Sequence, residues 1–112
     1  MSYMSDQRDL TELRRGVLGP CVLALLAERS RFGLEIVRDL AAADGLLTSE
    51  GTVYPLLNRL RDAGLVTSEW RDGEGERARR YYAITKAGGR HLTAFEDAWS
   101  EFSSTVSRAM RR

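Results

Sequence analysis

"SEGTVYPLLNRLRDAGLV", Ser49 to Val66, is the stretch whose reading decides the fold. Val53, Leu56, Leu57 and Leu60 recur at i, i+3, i+4 and i+7, one apolar face of a helix. Pro55 falls inside that pattern, where a proline donates no amide and its ring crowds the carbonyl four residues back. With the apolar face turned inward, Gly51, Pro55, Asn58 and Asp62 face water. Thr52 and Arg59 then flank them on one side, Tyr54 and Arg61 on the other. The first half of this outer face is small or hydrogen-bonding, which lets a helix settle into a groove, and Pro55 leaves room for close approach. Ser49 is the expected N-cap, with Glu50 at the positive end of the helix dipole. Gly64 stops the helix where a left-handed cap costs glycine little.

Two helices are expected before this one. Residues 1–8 are expected to form a flexible tail. From Asp9 onward, Leu10, Leu13, Val17, Cys21 and Leu25 make one stripe, with Leu18, Val22 and Leu26 beside it. Between Val17 and Ala27 the pattern is apolar almost all round, which predicts the most buried element. Gly16, Gly19 and Pro20 predict a kink or restart in its middle. "FGLEIVRDLAAA" follows as a second helix, with Leu34, Ile36, Val37 and Leu40 inward and Gly45 at its end.

After Gly64, "LVTSEW" and "RYYAIT" read as two strands around the charged, glycine-bearing loop "RDGEGERAR". Thr85 is the N-cap expected for a helix filling the rest of the chain. The order helix, helix, helix, hairpin, helix predicts a mainly α fold with a two-stranded wing. That is a winged helix-turn-helix over residues 9–85, followed by a dimerisation helix over 86–112 beside which the first helix packs.

The totals bound the function. A chain of 112 residues, 43% hydrophobic and 29% charged, is one soluble domain's worth. The formal net charge is +1, from 17 basic and 16 acidic residues. A nucleic-acid partner must therefore be argued from where the charges lie. Lys86 is the only lysine, and the arginine bias is what a GC-rich coding genome gives. One cysteine, Cys21, and one histidine, His91, leave no disulfide, zinc cluster or Cys–His pair to draw. Cys21 reads as a small buried hydrophobe and His91 as a surface side chain. No catalytic constellation, metal site or cofactor is expected. "RRGVLGPCVLALLA" resembles a secretory or twin-arginine signal, yet it is too short to span a bilayer and Asp6, Asp9 and Glu12 crowd the region that should be positive. A cytoplasmic protein without a membrane partner is the expectation.

Chemistry can be attached to the outer face of the third helix. In helix-turn-helix docking, the first residues of the second motif helix meet base edges in the major groove. Asn58 suits adenine and Arg59 guanine or phosphate, while Ser49 and the first amides can hold a phosphate. Arg77, Arg79 and Arg80 cluster along the hairpin, with Lys86 close behind, where arginine enters a minor groove or neutralises phosphates. Glu74 and Glu76 dilute the charge at the tip, so contact is expected from the strand base. Each element alone also fits a bland reading, an amphipathic surface helix or a solvated loop. A winged-helix module that binds another protein and no DNA is the alternative function.

"GTVYPLLNRLRDAGLV", then "EW", a glycine-charged turn, "RRYYAIT" and "AG" resemble the PadR family of bacterial transcriptional regulators, over about Leu13 to Trp99. The resemblance implies a winged helix-turn-helix with a C-terminal dimerisation helix, repressing transcription from roughly palindromic operators. Thr52, Tyr54 and Asn58 match positions of the family's recognition helix, and Arg79 and Arg80 its basic pair leading out of the wing. One departure stands out. The family's second helix usually opens with glycine-tyrosine, whereas here Gly33 is followed by Leu34, without the tyrosine hydroxyl that could reach a phosphate.

The last helix carries Leu92, Phe95, Trp99, Phe102 and Val106, spaced by threes and fours as a heptad seam. Helices one to three already supply a core, so this stripe calls for another surface. The same helix of a second subunit is the expected partner, with folding back on its own domain the alternative. A two-fold pair would set two recognition helices one DNA turn, about 34 Å, apart. Multidrug-responsive PadR members carry a tryptophan at a place matching Trp99 and bind flat drugs there. The resemblance thus implies that Phe95 and Trp99 border a site for a planar aromatic or hydrophobic effector. The alternative is a tryptophan that fills the interface.

Overall fold

A computed structural model describes residues 3–43, 46, 49–73 and 76–111, with the side chains of 3–9 and 76 excepted. In chain order the elements are α1 (Tyr3–Glu28), β1 (Arg31–Phe32), α2 (Gly33–Ala42), a 3-10 turn (Glu50–Thr52), α3 (Val53–Asp62), β2 (Val66–Gly73), β3 (Glu76–Ile84) and α4 (Lys86–Met110). The antiparallel sheet runs β1-β3-β2. The fold is mainly helical with a winged hairpin, and the sheet holds three strands where two were expected. The extra strand has two residues, Arg31 opposite Tyr82 and Phe32 opposite Tyr81.

Pro55 is accommodated by where its helix begins. Glu50–Thr52 is a separate 3-10 turn, capped by Ser49, whose Oγ accepts from the Gly51 amide at 3.3 Å. Because α3 opens only at Val53, Pro55 lies in its first turn, where amides have no intrahelical acceptor in any case. Ser49 therefore caps the turn and not α3 itself.

Helix α1 differs from expectation in three ways. Its helical backbone opens at Tyr3, ahead of Asp9, and it passes Pro20 as one helix. The carbonyl four residues before Pro20 belongs to exposed Gly16, so water can take the bond the proline cannot make. Nor is α1 the most buried element. Val22, Leu23 and Leu26 reach the core, but Val17, Leu18, Cys21 and Leu25 are only half-buried, and Leu10 and Leu13 are exposed. Its apolar circumference is served by its own domain on one side alone.

The core joins that segment to Ile36, Val37 and Leu40 of α2, to Val53, Leu56, Leu57 and Leu60 of α3, and to Val66 and Tyr82 of the sheet. On α2 the buried set is Gly33, Ile36, Val37 and Leu40, so Leu34, expected inward, lies off that face and is exposed. Gly45, expected to end α2, and Glu74, expected at the wing tip, lie outside the described residues, as does the Glu76 side chain. The strands extend well into the expected loop, pairing out to Arg71 opposite Arg79 and Gly73 opposite Glu76.

Arg31 is buried and charged, at 6% exposure. Its guanidinium donates to the Leu25 carbonyl in the last turns of α1 and to Glu28 Oε1 at 2.8 Å. Its Nε also stands 3.1 Å from Asp39 Oδ2 of α2, an ion pair without hydrogen-bond alignment. The side chain thus ties α1 to α2 while satisfying its own charge.

A second joint fixes the end of α3 to the start of α4. Gly64, at φ 78°, closes a Schellman cap in which the Leu65 amide donates to the Leu60 carbonyl and the Gly64 amide to the Arg61 carbonyl, both at 2.9 Å. Thr85 Oγ1 donates to the Gly64 carbonyl at 2.7 Å and accepts from the Gly88 amide at 3.0 Å, and the Thr85 amide donates to the Leu65 carbonyl at 3.0 Å.

Candidate nucleic-acid interface

The N-terminal half of α3, the start of α2 and the inner face of the wing enclose an open groove of about 730 Å³. Tyr54 and Asn58 line it from α3, Leu34 and Arg38 from α2, and Trp70, Arg77, Arg79 and Arg80 from the hairpin. Four arginines and no carboxylate occur among the described lining residues. A chain almost neutral overall has sorted its charge locally, which is what a polyanion needs.

The position of each side chain follows from its element. Helical periodicity turns Tyr54 and Asn58 outward once Val53 and Leu57 are buried. Tyr54 leans on the first turn of α2, where a Cβ on Gly33 would come 2.6 Å from its Cε1. Strand alternation separates the two neighbouring arginines. Arg80 shares a face with Trp70, its cross-strand partner, and with Tyr82. Its Nε donates to Ser68 Oγ at 3.0 Å, and its Cζ lies 6.0 Å and 5.8 Å from the Trp70 and Tyr82 ring centroids. Arg79 takes the other face, its Cζ 4.3 Å over the Phe32 ring. Arg71 lies there too, 4.4 Å over Tyr81 and paired with Glu69 at 2.8 Å.

Not all the expected residues meet in this groove. Thr52 and Arg59, on the far flank of α3, line a separate depression with Arg14 and Arg15 of α1. The Thr52 hydroxyl donates to the Ser49 carbonyl at 2.8 Å. Lys86 is exposed at the head of α4, one turn before Arg90. Thr85 anchors that point to Gly64, at the opposite end of α3 from Tyr54, so Lys86 stands apart from the groove. Sequence reasoning missed Arg38 and Trp70, and it marked position 34 only through the family's tyrosine while placing Leu34 itself inward. Arg38 could have been found as a polar position off the α2 core face; for Trp70 the strand pattern alone does not tell which face stays open.

A second, apolar groove of about 690 Å³ runs between α1 and α4. Leu13, Val17 and Cys21 line it from α1, and Leu92, Phe95, Trp99 and Phe102 from α4. Phe95 and Trp99 stack with ring centroids 6.2 Å apart and planes at 11°. Trp99 remains 46% exposed and Phe102 64%. Burial pushes the Cys21 thiol above its ordinary pKa, which disfavours the thiolate. Among the described residues, no helix is long and apolar enough to cross a membrane.

Residues 22–94 match the transcriptional regulator PadR-like family. A transcriptional regulator of Mycobacterium tuberculosis is 35% identical over 97 residues, covering 87% of this chain and 89% of that protein. The crystal structure of a PadR family transcriptional regulator from Eggerthella lenta superposes with a TM-score of 0.83 at 35% identity, covering 94% of this chain and 91% of its own. That of a PadR-like transcriptional regulator from Bacillus cereus gives 0.80 at 29% identity, covering 90% and 98%.

Proposed function

The chain belongs to the PadR-like family of transcriptional regulators, a family of regulators and not of enzymes, and on that premise we propose that it is a dimeric repressor that binds a roughly palindromic operator. The observation that carries this reading is the groove in which outward Tyr54 and Asn58 meet a wall from α2 and the wing whose charged side chains, among the described residues, are all arginines. In it Asn58 reads a base edge from α3, while Arg77 and Arg80 neutralise phosphates. Ser49, Thr52 and Arg59 serve the adjoining backbone, and Arg79, its guanidinium over Phe32, adds charge to the same groove. Lys86 is the weakest member of the set, because it lies beyond the far end of α3.

The dimer forms through α4, with Leu92, Phe95, Trp99, Phe102 and Val106 as its seam and α1 beside it. Support comes from an apolar groove left open along both helices. Phe95 and Trp99 border a site where a planar aromatic or hydrophobic effector lowers operator affinity. Such an effector needs only to prefer the subunit geometry in which the two heads no longer match successive grooves.

Fluorescence anisotropy of a labelled duplex from the gene's own upstream region, titrated at several salt concentrations, tests the DNA reading. Affinity is expected to fall steeply, with a log–log slope of about −0.9 for each phosphate neutralised. No binding, or binding indifferent to salt, refutes the proposal and leaves a protein-binding winged helix in its place.

A further inference from the structure

Trp70 is the most conspicuous side chain in the groove that the DNA reading leaves without a duty. It is 68% exposed on the wing. Large aromatic surface left in water to that extent, within a groove whose charged lining is arginine, suits a contact surface. The register places it directly across from Arg80, on the strand face that looks toward Tyr54 and Asn58. Arg80 is held from behind by Ser68 and lies between the Trp70 and Tyr82 rings, so the indole and the guanidinium form one pre-set unit.

What such a unit fits follows from its chemistry. An indole offers flat apolar faces and one N–H that donates and never accepts. The sugar-phosphate backbone offers apolar deoxyribose faces beside oxygens that only accept. Arginines along the same groove supply the charge that draws a polyanion to it. Stacking on a base would require opening the duplex, at a cost of a few kcal/mol per step; lying against a sugar requires none.

Resting on the DNA reading above, we propose that Trp70 is a DNA-contacting residue, packing its ring on a deoxyribose of the backbone beside the wing with its Nε1–H toward a phosphate oxygen. Arg80 is the charged half of the same contact. A neutral ring releases no counterion, so the two halves separate by salt dependence. Trp70→Ala weakens binding on the order of tenfold for every duplex alike and leaves the salt slope unchanged. Arg80→Gln flattens the slope by about 0.9 per subunit, about 1.8 for the bound dimer.

The experiment uses the full chain with 5-fluorotryptophan at both tryptophans, the Trp70 resonance being identified as the one lost in Trp70→Phe. On adding an upstream duplex of about 30 base pairs, long enough for two half-sites, that resonance is expected to shift and broaden. Anisotropy titrations of Trp70→Ala and Arg80→Gln are run alongside. Wild-type binding with a silent Trp70 resonance and an undiminished Trp70→Ala affinity overturns this inference and spares the DNA reading. A Trp70→Ala slope that flattens as the Arg80→Gln slope does also overturns it, because the ring would then only be holding Arg80. Failure of the wild type to bind the duplex removes both.

Discussion

Gly88 and Gly89 stand side by side in the first turn of α4, yet their surroundings differ sharply. A Cβ at 88 would lie 2.1 Å from the Leu65 carbonyl oxygen and 2.7 Å from Ile84 Cγ1, whereas one at 89 meets nothing within 4 Å. A backbone oxygen cannot swing aside as a side-chain tip does. Gly88→Ala is therefore expected to cost on the order of 3 kcal/mol. Gly89→Ala should be neutral or stabilising by up to about 1 kcal/mol, since alanine is the better helix former. Urea-unfolding midpoints of the two variants decide it, and equal losses would refute the packing argument. This distinction was not visible in the sequence, where both are glycines of an "AGG" run. Asn58 and Tyr54 were legible, because a helix with four buried apolar positions has only one way to face. Leu34 was not, because an apolar residue adjoining a core stripe reads as part of it until packing shows where the stripe ends.

At the level of elements, α1 and α2 meet through two charged contacts, and the exposed one makes a prediction about pH. Arg29 Nη2 donates to Glu35 Oε2, and this bond holds the Glu35 carboxyl below its ordinary range against the opposing effect of desolvation. Between its folded and unfolded pKa values the unfolded chain binds more protons, so stability rises with pH across that window. The contribution is present above the unfolded carboxylate value and is lost as pH falls through the depressed folded one. Comparing thermal midpoints of the wild type and Glu35→Gln, the gap should be constant near neutrality and close under acid. A gap that stays constant into acid would show that the pair does not stabilise the joint. Element order and type were largely written in the sequence, since period and turn residues are local signals. The strand β1 was hidden because two residues, Arg31 and Phe32, become a strand only by pairing with Tyr82 and Tyr81, about fifty positions on. Pro55 misled for a related reason, as its tolerance depends on a 3-10 turn ending just before Val53.

The whole molecule is long and narrow, 59 by 31 by 21 Å, with α4 carrying apolar side chains its own domain does not cover. Phe102→Glu places a charge in the proposed seam. The association constant is expected to fall at least a hundredfold, about 3 kcal/mol, with helix content unchanged. Sedimentation equilibrium reads this directly, and a wild type that sediments as a single subunit would refute the dimer. The stripe from Leu92 to Val106 was legible by spacing, and so was α1 as the helix packed beside it; which α1 residues stay open was not, because an apolar pattern running nearly all round a helix does not show which side the core takes. The Thr85 joint has a mechanical meaning beyond stability. Two hydrogen bonds from Thr85 and the close seat of Gly88 couple the end of α3 to the head of α4. A tilt imposed on the tail is therefore expected to carry along α3 to the tip that bears Tyr54.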